Sequence, residues 1–234
     1  MNKNTKYIIG IDEVGRGPIA GPVAVCSFSC RADFFDNLPQ VRLVAKKDIL
    51  PKLKDSKKLT KKQREEWFEY LKSEKEKGNC DFAVSVVSAD QIDKFGIVPS
   101  IQKALNSSLF RVVERIYQNF LRVGAPEERV KRGNFDESVE PRDLSIYLDG
   151  GLKADKHYTN QETIIKGDEL HPVISCASII AKVTRDNLMT KYAIDYPNYG
   201  FENHVGYGTK FHYTAIKKLG LTPLHRKTFL KNIL

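Results

Sequence analysis

No stretch of this 234-residue chain stays apolar for long enough to cross a bilayer, and its start, MNKNTKYIIG, lacks an apolar signal core. These absences argue against a membrane-spanning or exported protein and set the expectation of a cytoplasmic chain with reduced thiols. Cysteine is scarce: Cys26, Cys30, Cys80 and Cys176 lie in or beside apolar segments and form no C-x-x-C pair, which argues against a zinc site. His157, His171, His204, His212 and His225 show no H-x-x-x-H or similar ligand spacing, and no G-x-S-x-G elbow of a Ser-His-Asp hydrolase exists. Gly15, Gly17 and Gly21 miss the G-x-G-x-x-G spacing of a dinucleotide fingerprint. Internal repeats and linkers between independent cores are also absent, so a single domain over 1–234 is expected. Acid is missing beyond Glu202, where six lysines or arginines stand unopposed.

What is present is positive charge. The formal net charge of +9 points to a polyanionic partner, nucleic acid or an anionic membrane, although a basic surface kept for solubility gives the same total. Between Lys46 and Lys62 the lysines meet only Asp48 and Asp55, so two basic zones flank the acids considered next. With 41% hydrophobic residues the chain can bury one substantial core.

The stretch Tyr7 to Ser27, YIIGIDEVGRGPIAGPVAVCS, organises the rest. Tyr7 to Ile11 is a short apolar run with β-branched residues and reads as a buried strand. It ends in Asp12 and Glu13, followed by the turn Gly15, Arg16, Gly17, Pro18 and a second apolar run, Val23 to Phe28. Two carboxylates where a strand leaves the core repel one another and lose solvation, which a divalent cation would offset. The glycines allow backbone N–H groups close to a ligand, and Arg16 offers a planar fork of donors suited to phosphate. Acids at strand ends also serve simply as turn formers. On an ideal strand Asp12 and Glu13 point to opposite faces, so a distortion at Val14 and Gly15 is expected.

Further along, Arg31 to Lys54 reads as a long surface connection. Thr60 with Gln63 forms a capping box that starts a helix from Lys61 to about Lys77, and Ser88 with Gln91 repeats the signal after a valine-rich strand, Cys80 to Val87. Ile97, Ile101, Leu105, Leu109, Val112, Ile116 and Phe120 recur at three and four residues, an amphipathic helix to Leu121 that packs on the sheet. Gly124 to Arg142 is polar and reads as a loop or small insertion. Leu144 to Leu148 and Thr163 to Lys166 are further strands, followed by Asp149 and Asp168, each beside glycine. Three strands releasing the chain through an aspartate can bring Asp12, Asp149 and Asp168 to one sheet edge, a carboxylate metal site with Glu13.

Pro172 to Tyr192 is helical, its small residues Cys176, Ala177, Ser178 and Ala181 permitting close approach to the sheet. Lys182 faces either a phosphate or Asp186, four residues on. Tyr192, Tyr196 and Tyr199 fill a loop core, or else stack on sugars or bases. A helix from Thr209 to Leu219 precedes a short basic amphipathic tail, Leu224 to Leu234.

These segments together resemble the ribonuclease HII family: GIDEVGRGPIAGPV at Gly10 to Val23, DSKKLT at Asp55 to Thr60, YLDGG at Tyr147 to Gly151, KGD at Lys166 to Asp168, SCASIIAKVTRD at Ser175 to Asp186, GYGTKFH at Gly206 to His212 and PLHRKTF at Pro223 to Phe229. The resemblance implies an α/β ribonuclease H-like fold, a mixed central sheet flanked by helices, with a helical C-terminal region, about 195–234, walling the substrate groove. It implies an endonuclease that cleaves the RNA of RNA–DNA hybrids and single ribonucleotides in duplex DNA, using Mg²⁺ or Mn²⁺. Asp12, Glu13, Asp149 and Asp168 would then be the catalytic carboxylates. Gly15, Arg16 and Gly17 would sense the ribose 2′-hydroxyl at the RNA–DNA junction, and Tyr207 would pack on the adjacent deoxyribose. The type HIII enzymes carry lysine where this chain has Arg16.

Metal-assisted hydrolysis is the common expectation: two divalent ions about 3.5–4 Å apart, Asp12 bridging them, with 3′-hydroxyl and 5′-phosphate products. Lys57 and Lys182 are the expected phosphate contacts, and nucleic acid is the expected partner of a monomer that does not engage membranes. A non-catalytic nucleic-acid binder and a DNA nuclease or resolvase on the same fold remain alternatives.

Overall fold

Alternation along the first strand decides the architecture. In β1 (Tyr7–Val14), Ile9 and Ile11 join one buried cluster while Ile8 joins another, so the strand is covered on both faces. The computed structural model describes residues 7–36, 53, 56–124 and 144–231. Most of the expected connection at 31–54 and most of the expected loop at 124–142 lie outside the described residues, as does Asp55.

β1 pairs antiparallel with β2 (Val23–Arg31), which pairs antiparallel with β3 (Cys80–Val87). On its other side β1 runs parallel to β4 (Leu144–Asp149), and β4 parallel to β5 (Gln161–Ile164). The resulting five-stranded order, β3-β2-β1-β4-β5, is the mixed sheet that the resemblance implies. Between β2 and β3 lies α1 (Lys61–Glu76), entered through the expected capping box: Gln63 N donates to Thr60 Oγ1 at 3.2 Å and Thr60 N donates to Gln63 Oε1 at 2.9 Å. The second capping signal does not form at α2 (Ala89–Phe95). Ser88 donates instead to Asp90, and Gln91 accepts from Lys103 Nζ at 3.1 Å.

α3 (Ile97–Gly124) follows the periodicity, and its Ile101, Leu105, Leu109, Val112 and Ile116 pack on Ile9, Ile11, Val23 and Val25. The opposite face is covered by α1, through Trp67 and Leu71, and by α5 (Pro172–Asp195), through Val173, Ile174, Cys176, Ala177, Ile180 and Ala181. α5 runs three residues past the expected end. Between β5 and α5 sits α4 (Gly167–Leu170). The expected strand Thr163 to Lys166 is displaced toward the N-terminus, because Ile165 is 77% exposed and Lys166 has φ 56°, which no ladder accepts.

A third cluster builds the C-terminal region from Ile19, Met189, Tyr199, Phe201, Ile216 and Leu230, with Tyr192 and Tyr196 packed at its edge as expected. It includes α6 (Phe201–His204), α7 (Lys210–Leu219), whose N-cap is Thr209, and α8 (Lys227–Leu230). The expected basic tail is corrected here: His225 and Arg226 are buried, and Asp93 on α2 accepts from Lys227 N and Thr228 N at 2.8 and 3.0 Å. The four cysteines are free and buried. No helix among the described residues is long and apolar enough to cross a membrane.

Candidate active site

Asp12 lies on the α5 side of the sheet, two residues beyond Gly10, and is 6% exposed. Burial is the main influence on its carboxyl and pushes its pKa well above the ordinary value; a Ser178 hydrogen bond opposes this, and the charges of Glu13, Asp149 and Asp168 add to the rise. Ser178 Oγ is 2.8 Å from Ser56 Oγ. Each hydroxyl has one proton, so when Ser178 donates to ionised Asp12, Ser56 must donate to Ser178. The DSKKLT segment thereby reaches the carboxylates through a serine, while its Lys58 pairs with Glu169, the neighbour of Asp168.

Glu13 follows with regular pairing: the register Glu13↔Val25, Val14↔Ala24 is unbroken, so the expected distortion is absent at Val14 and confined to Gly15, at φ +89°. Glu13 N donates to Asp12 Oδ1 at 2.7 Å, and Glu13 Oε1 accepts from Arg16 Nη1 at 3.4 Å. Burial raises the Glu13 pKa, Arg16 opposes that, and Asp149 adds to it.

Asp149 closes β4, the parallel neighbour of β1, where the register Ile11↔Leu148 sets it level with Asp12. Its Oδ1 accepts from Gly167 N at 2.7 Å and Asp168 N at 3.4 Å, which holds the start of α4 against the end of β4. Asp168 is buried in the first turn of α4, not at a strand end as expected, and its carbonyl accepts from Ser175 Oγ at 2.7 Å. The four acids therefore share one end of the sheet and act on one another electrostatically. Among the described residues no three His, Cys, Asp or Glu side chains already stand close enough together to hold one ion. The donor set nonetheless suits a hard divalent cation: it is all carboxylate oxygen, and Asp12 gains most from a nearby positive charge.

Gly15 has no room for a side chain, because a Cβ there would lie 2.3 Å from Arg185 Nε. Arg16 and Gly17 are exposed, and a Cβ on Gly17 would be 3.9 Å from the ring of Tyr207, itself 45% exposed. The structure thus joins the glycine turn to Tyr207. It leaves the lysines less defined: Lys182 Nζ is engaged by Asp186 Oδ1 at 2.9 Å, and the side chain of Lys57, in the 3-10 turn Ser56–Lys58, lies outside the described residues.

Sequence reasoning missed the groups underneath. Arg185 is fully buried and donates to the carbonyls of Pro22, Val205 and Ala20 at 2.8, 2.9 and 3.3 Å. Arg226 does the same for Gly21, Arg16 and Gly15. Both lie in segments that carry the resemblance, Arg185 in SCASIIAKVTRD and Arg226 in PLHRKTF, but no role was read for Arg185, and the basic tail that holds Arg226 was read as surface.

A sequence model described as ribonuclease HII matches residues 9–232. The ribonuclease HII of Clostridioides difficile is 37% identical over 234 residues, spanning 100% of this chain and 73% of that one. That of Caldicellulosiruptor bescii is 34% identical, spanning 100% and 91%. Among solved structures, ribonuclease H2 from Pyrococcus horikoshii superposes with a TM-score of 0.62 at 23% identity, over 97% of this chain and 96% of that one. Bst-RNase HIII in complex with Mn²⁺ does so at 0.59 and 17%, over 98% and 71%. These two share the fold. On the full-length match and the curated relatives, this chain belongs to the ribonuclease HII family, metal-dependent ribonucleases H that cleave the RNA strand of RNA–DNA hybrids.

Proposed function

We propose that this chain cuts at single ribonucleotides embedded in duplex DNA as well as in longer hybrids, leaving a 3′-hydroxyl and a 5′-phosphate. Asp12, Glu13, Asp149 and Asp168 are the ligands of two divalent ions, Mg²⁺ or Mn²⁺, in this reading. The observation that carries it is Asp12, a carboxyl driven toward its neutral form by burial and by three like charges, which is the condition a bound cation reverses. Bound divalent ions supply activation of the attacking water and neutralisation of charge on the leaving 3′-oxygen.

The chain's own groups do the positioning. Ser178 and the amide of Glu13 orient the Asp12 carboxyl, while the amides of Gly167 and Asp168 both fall on Oδ1 of Asp149, which leaves its Oδ2 for a ligand. The turn Gly15, Arg16, Gly17 presents donors to the junction, where a 2′-hydroxyl can both donate and accept. The Tyr207 ring beside Gly17 packs on the neighbouring sugar. Lys57 and Lys182 meet backbone phosphates, Lys182 by leaving Asp186. The enzyme acts as a monomer on nucleic acid.

Cleavage-site mapping tests this on a duplex with one ribonucleotide and on its all-deoxy twin, with Mg²⁺, with Mn²⁺ and with EDTA. The ribonucleotide duplex is cut at one position only when metal is present, and the twin stays whole. Equal cutting of both duplexes would replace this reading with a DNA nuclease or resolvase, and cutting in EDTA would remove the carboxylates from metal binding.

A further inference from the structure

Arg226 is a full positive charge with no exposure to solvent. Burial, and then the proximity of Arg185, pull its pKa down to about 9, which leaves it charged at neutral pH. Burying such a group is costly unless it is hydrogen-bonded, and each of its three nitrogens donates to a main-chain oxygen of the loop between β1 and β2. Nε donates to Gly21 O at 2.9 Å, Nη1 to Arg16 O at 3.1 Å and Nη2 to Gly15 O at 2.7 Å. No peptide bond in the described chain is cis. In a trans peptide the C=O and N–H point in opposite directions, so drawing in the carbonyls of Gly15 and Arg16 turns the N–H groups of Arg16 and Gly17 outward. The same turn carries the exposed Arg16 side chain, and its Gly17 lies beside the half-exposed Tyr207 ring.

The preceding residue grips the other side of that face. Thr222 N donates to His225 Nδ1 at 2.9 Å, and Thr222 Oγ1 lies at the same distance. In the neutral ring the proton must then be on Nε2, which is 3.1 Å from His212 Nε2. His212 in turn carries its proton on Nδ1 and donates to the carbonyl of Tyr207 at 2.8 Å. The chain of donors is thus ordered from Thr222 to the backbone of Tyr207. The dipeptide is also tied to the intervening loop, Arg226 N donating to Ile19 O at 2.8 Å and His225 bridging to Ala20.

We propose that His225 and Arg226 are positioning residues for ribonucleotide discrimination, setting the spacing between the outward amides of the Gly15–Gly17 turn and the Tyr207 ring without touching substrate. The inference rests on the reading that this turn and Tyr207 face the sugars at a junction. Its consequence is that loosening either grip blurs where the enzyme cuts, beyond slowing it.

The test uses the full chain and a duplex in which a short run of ribonucleotides leads into DNA, mapping every cut in the wild type, Arg226→Lys and His225→Phe. Lysine keeps the charge but carries its donors on one nitrogen, so it cannot span three carbonyls held by the separate nitrogens of the guanidinium, and phenylalanine keeps a planar ring but severs the donor chain. Melting curves establish which variants are folded; the two rest on separate contacts, so either one suffices. In a folded variant, kcat/KM at the wild-type position falls about 10- to 100-fold while cuts appear at neighbouring ribonucleotides. A merely structural residue would lower the rate and leave the pattern of cuts alone. Folded variants that cut solely at the wild-type position overturn the inference, as does the unfolding of both. A wild type that itself ignores the 2′-hydroxyl overturns the functional reading beneath it, a result distinguishable because it needs no variant.

Discussion

At the scale of the residue, Asp12 concentrates the conflict between stability and chemistry. Its carboxyl is buried, pulled toward neutrality by desolvation and pushed the same way by Glu13, Asp149 and Asp168. Asparagine keeps the shape and the hydrogen bond to Ser178 while removing the charge. Asp12→Asn should therefore abolish metal-dependent cleavage and, in metal-free buffer at pH 7, raise the thermal midpoint above that of the wild type. The sign follows from linkage: a carboxyl whose folded pKa is raised stabilises fully below its unfolded value and loses that contribution as pH rises through the folded one. Calorimetry in EDTA checks it, and a midpoint lower than the wild type's would show that the Asp12 charge is compensated by groups that the four-acid description omits. The acids themselves were legible in the sequence by local signals: the pair Asp12 and Glu13 ends an apolar run, and Asp149 and Asp168 each stand beside glycine near the end of one. Ser178 was not. Its role depends on the helix α5 meeting β1, and small residues in a helix announce close approach without saying which hydroxyl faces which carboxyl.

At the scale of the element, the close approach of α5 to β1 is what sets Asp12 against Ser178, and Gly10 is what permits it. A Cβ at Gly10 would lie 2.2 Å from Val173 O and 2.7 Å from Ile174 N, both main chain, so neither partner can yield by turning a side chain. Gly10→Ala must then lift α5 from the sheet, and Ser178, one turn beyond Ile174, moves with it. Overpacking of this kind costs about 1–3 kcal/mol, which urea unfolding resolves. A stability within about 0.5 kcal/mol of wild type, the range of an inconsequential substitution, would mean that the contact is not tight. Elements with a long period were readable in advance: α3 keeps its apolar stripe through Ile116, and Thr60 with Gln63 marks the start of α1. β5 was misplaced because its alternation is weak and the apolar Ile165 faces solvent, while Lys166 takes a left-handed conformation that lysine disfavours. Pairing with β4, a tertiary effect, decides that register.

At the scale of the whole molecule, the C-terminal region is held to the catalytic sheet by polar groups that were read as surface. The absence of acid beyond Glu202 suggested an outward basic field, yet His212, His225 and Arg226 face inward and spend their hydrogen bonds on main chain and on each other. Such a network is coupled to pH through its histidines. Burial pulls the His212 pKa from 6.5 to about 4, opposed by its bond to Tyr207 and assisted by neighbouring His204 and His225; burial lowers that of His225 as well. A histidine whose folded pKa is depressed contributes stability that is fully present above the unfolded value and drains away as pH falls toward the folded one, since only the unfolded chain takes up the proton. The window here runs from pH 6.5 down to about 4. His212→Phe removes the titrating ring, so its stability deficit relative to wild type should be greatest above pH 6.5 and shrink steadily across that window. Urea unfolding of both proteins at half-unit steps gives the difference curve, in which the carboxylates common to both cancel. A deficit that stays constant with pH would show that His212 takes up its proton equally in the folded and unfolded chain, so that the fold does not hold its neutral form and the donor chain from Thr222 to Tyr207 runs in no fixed direction.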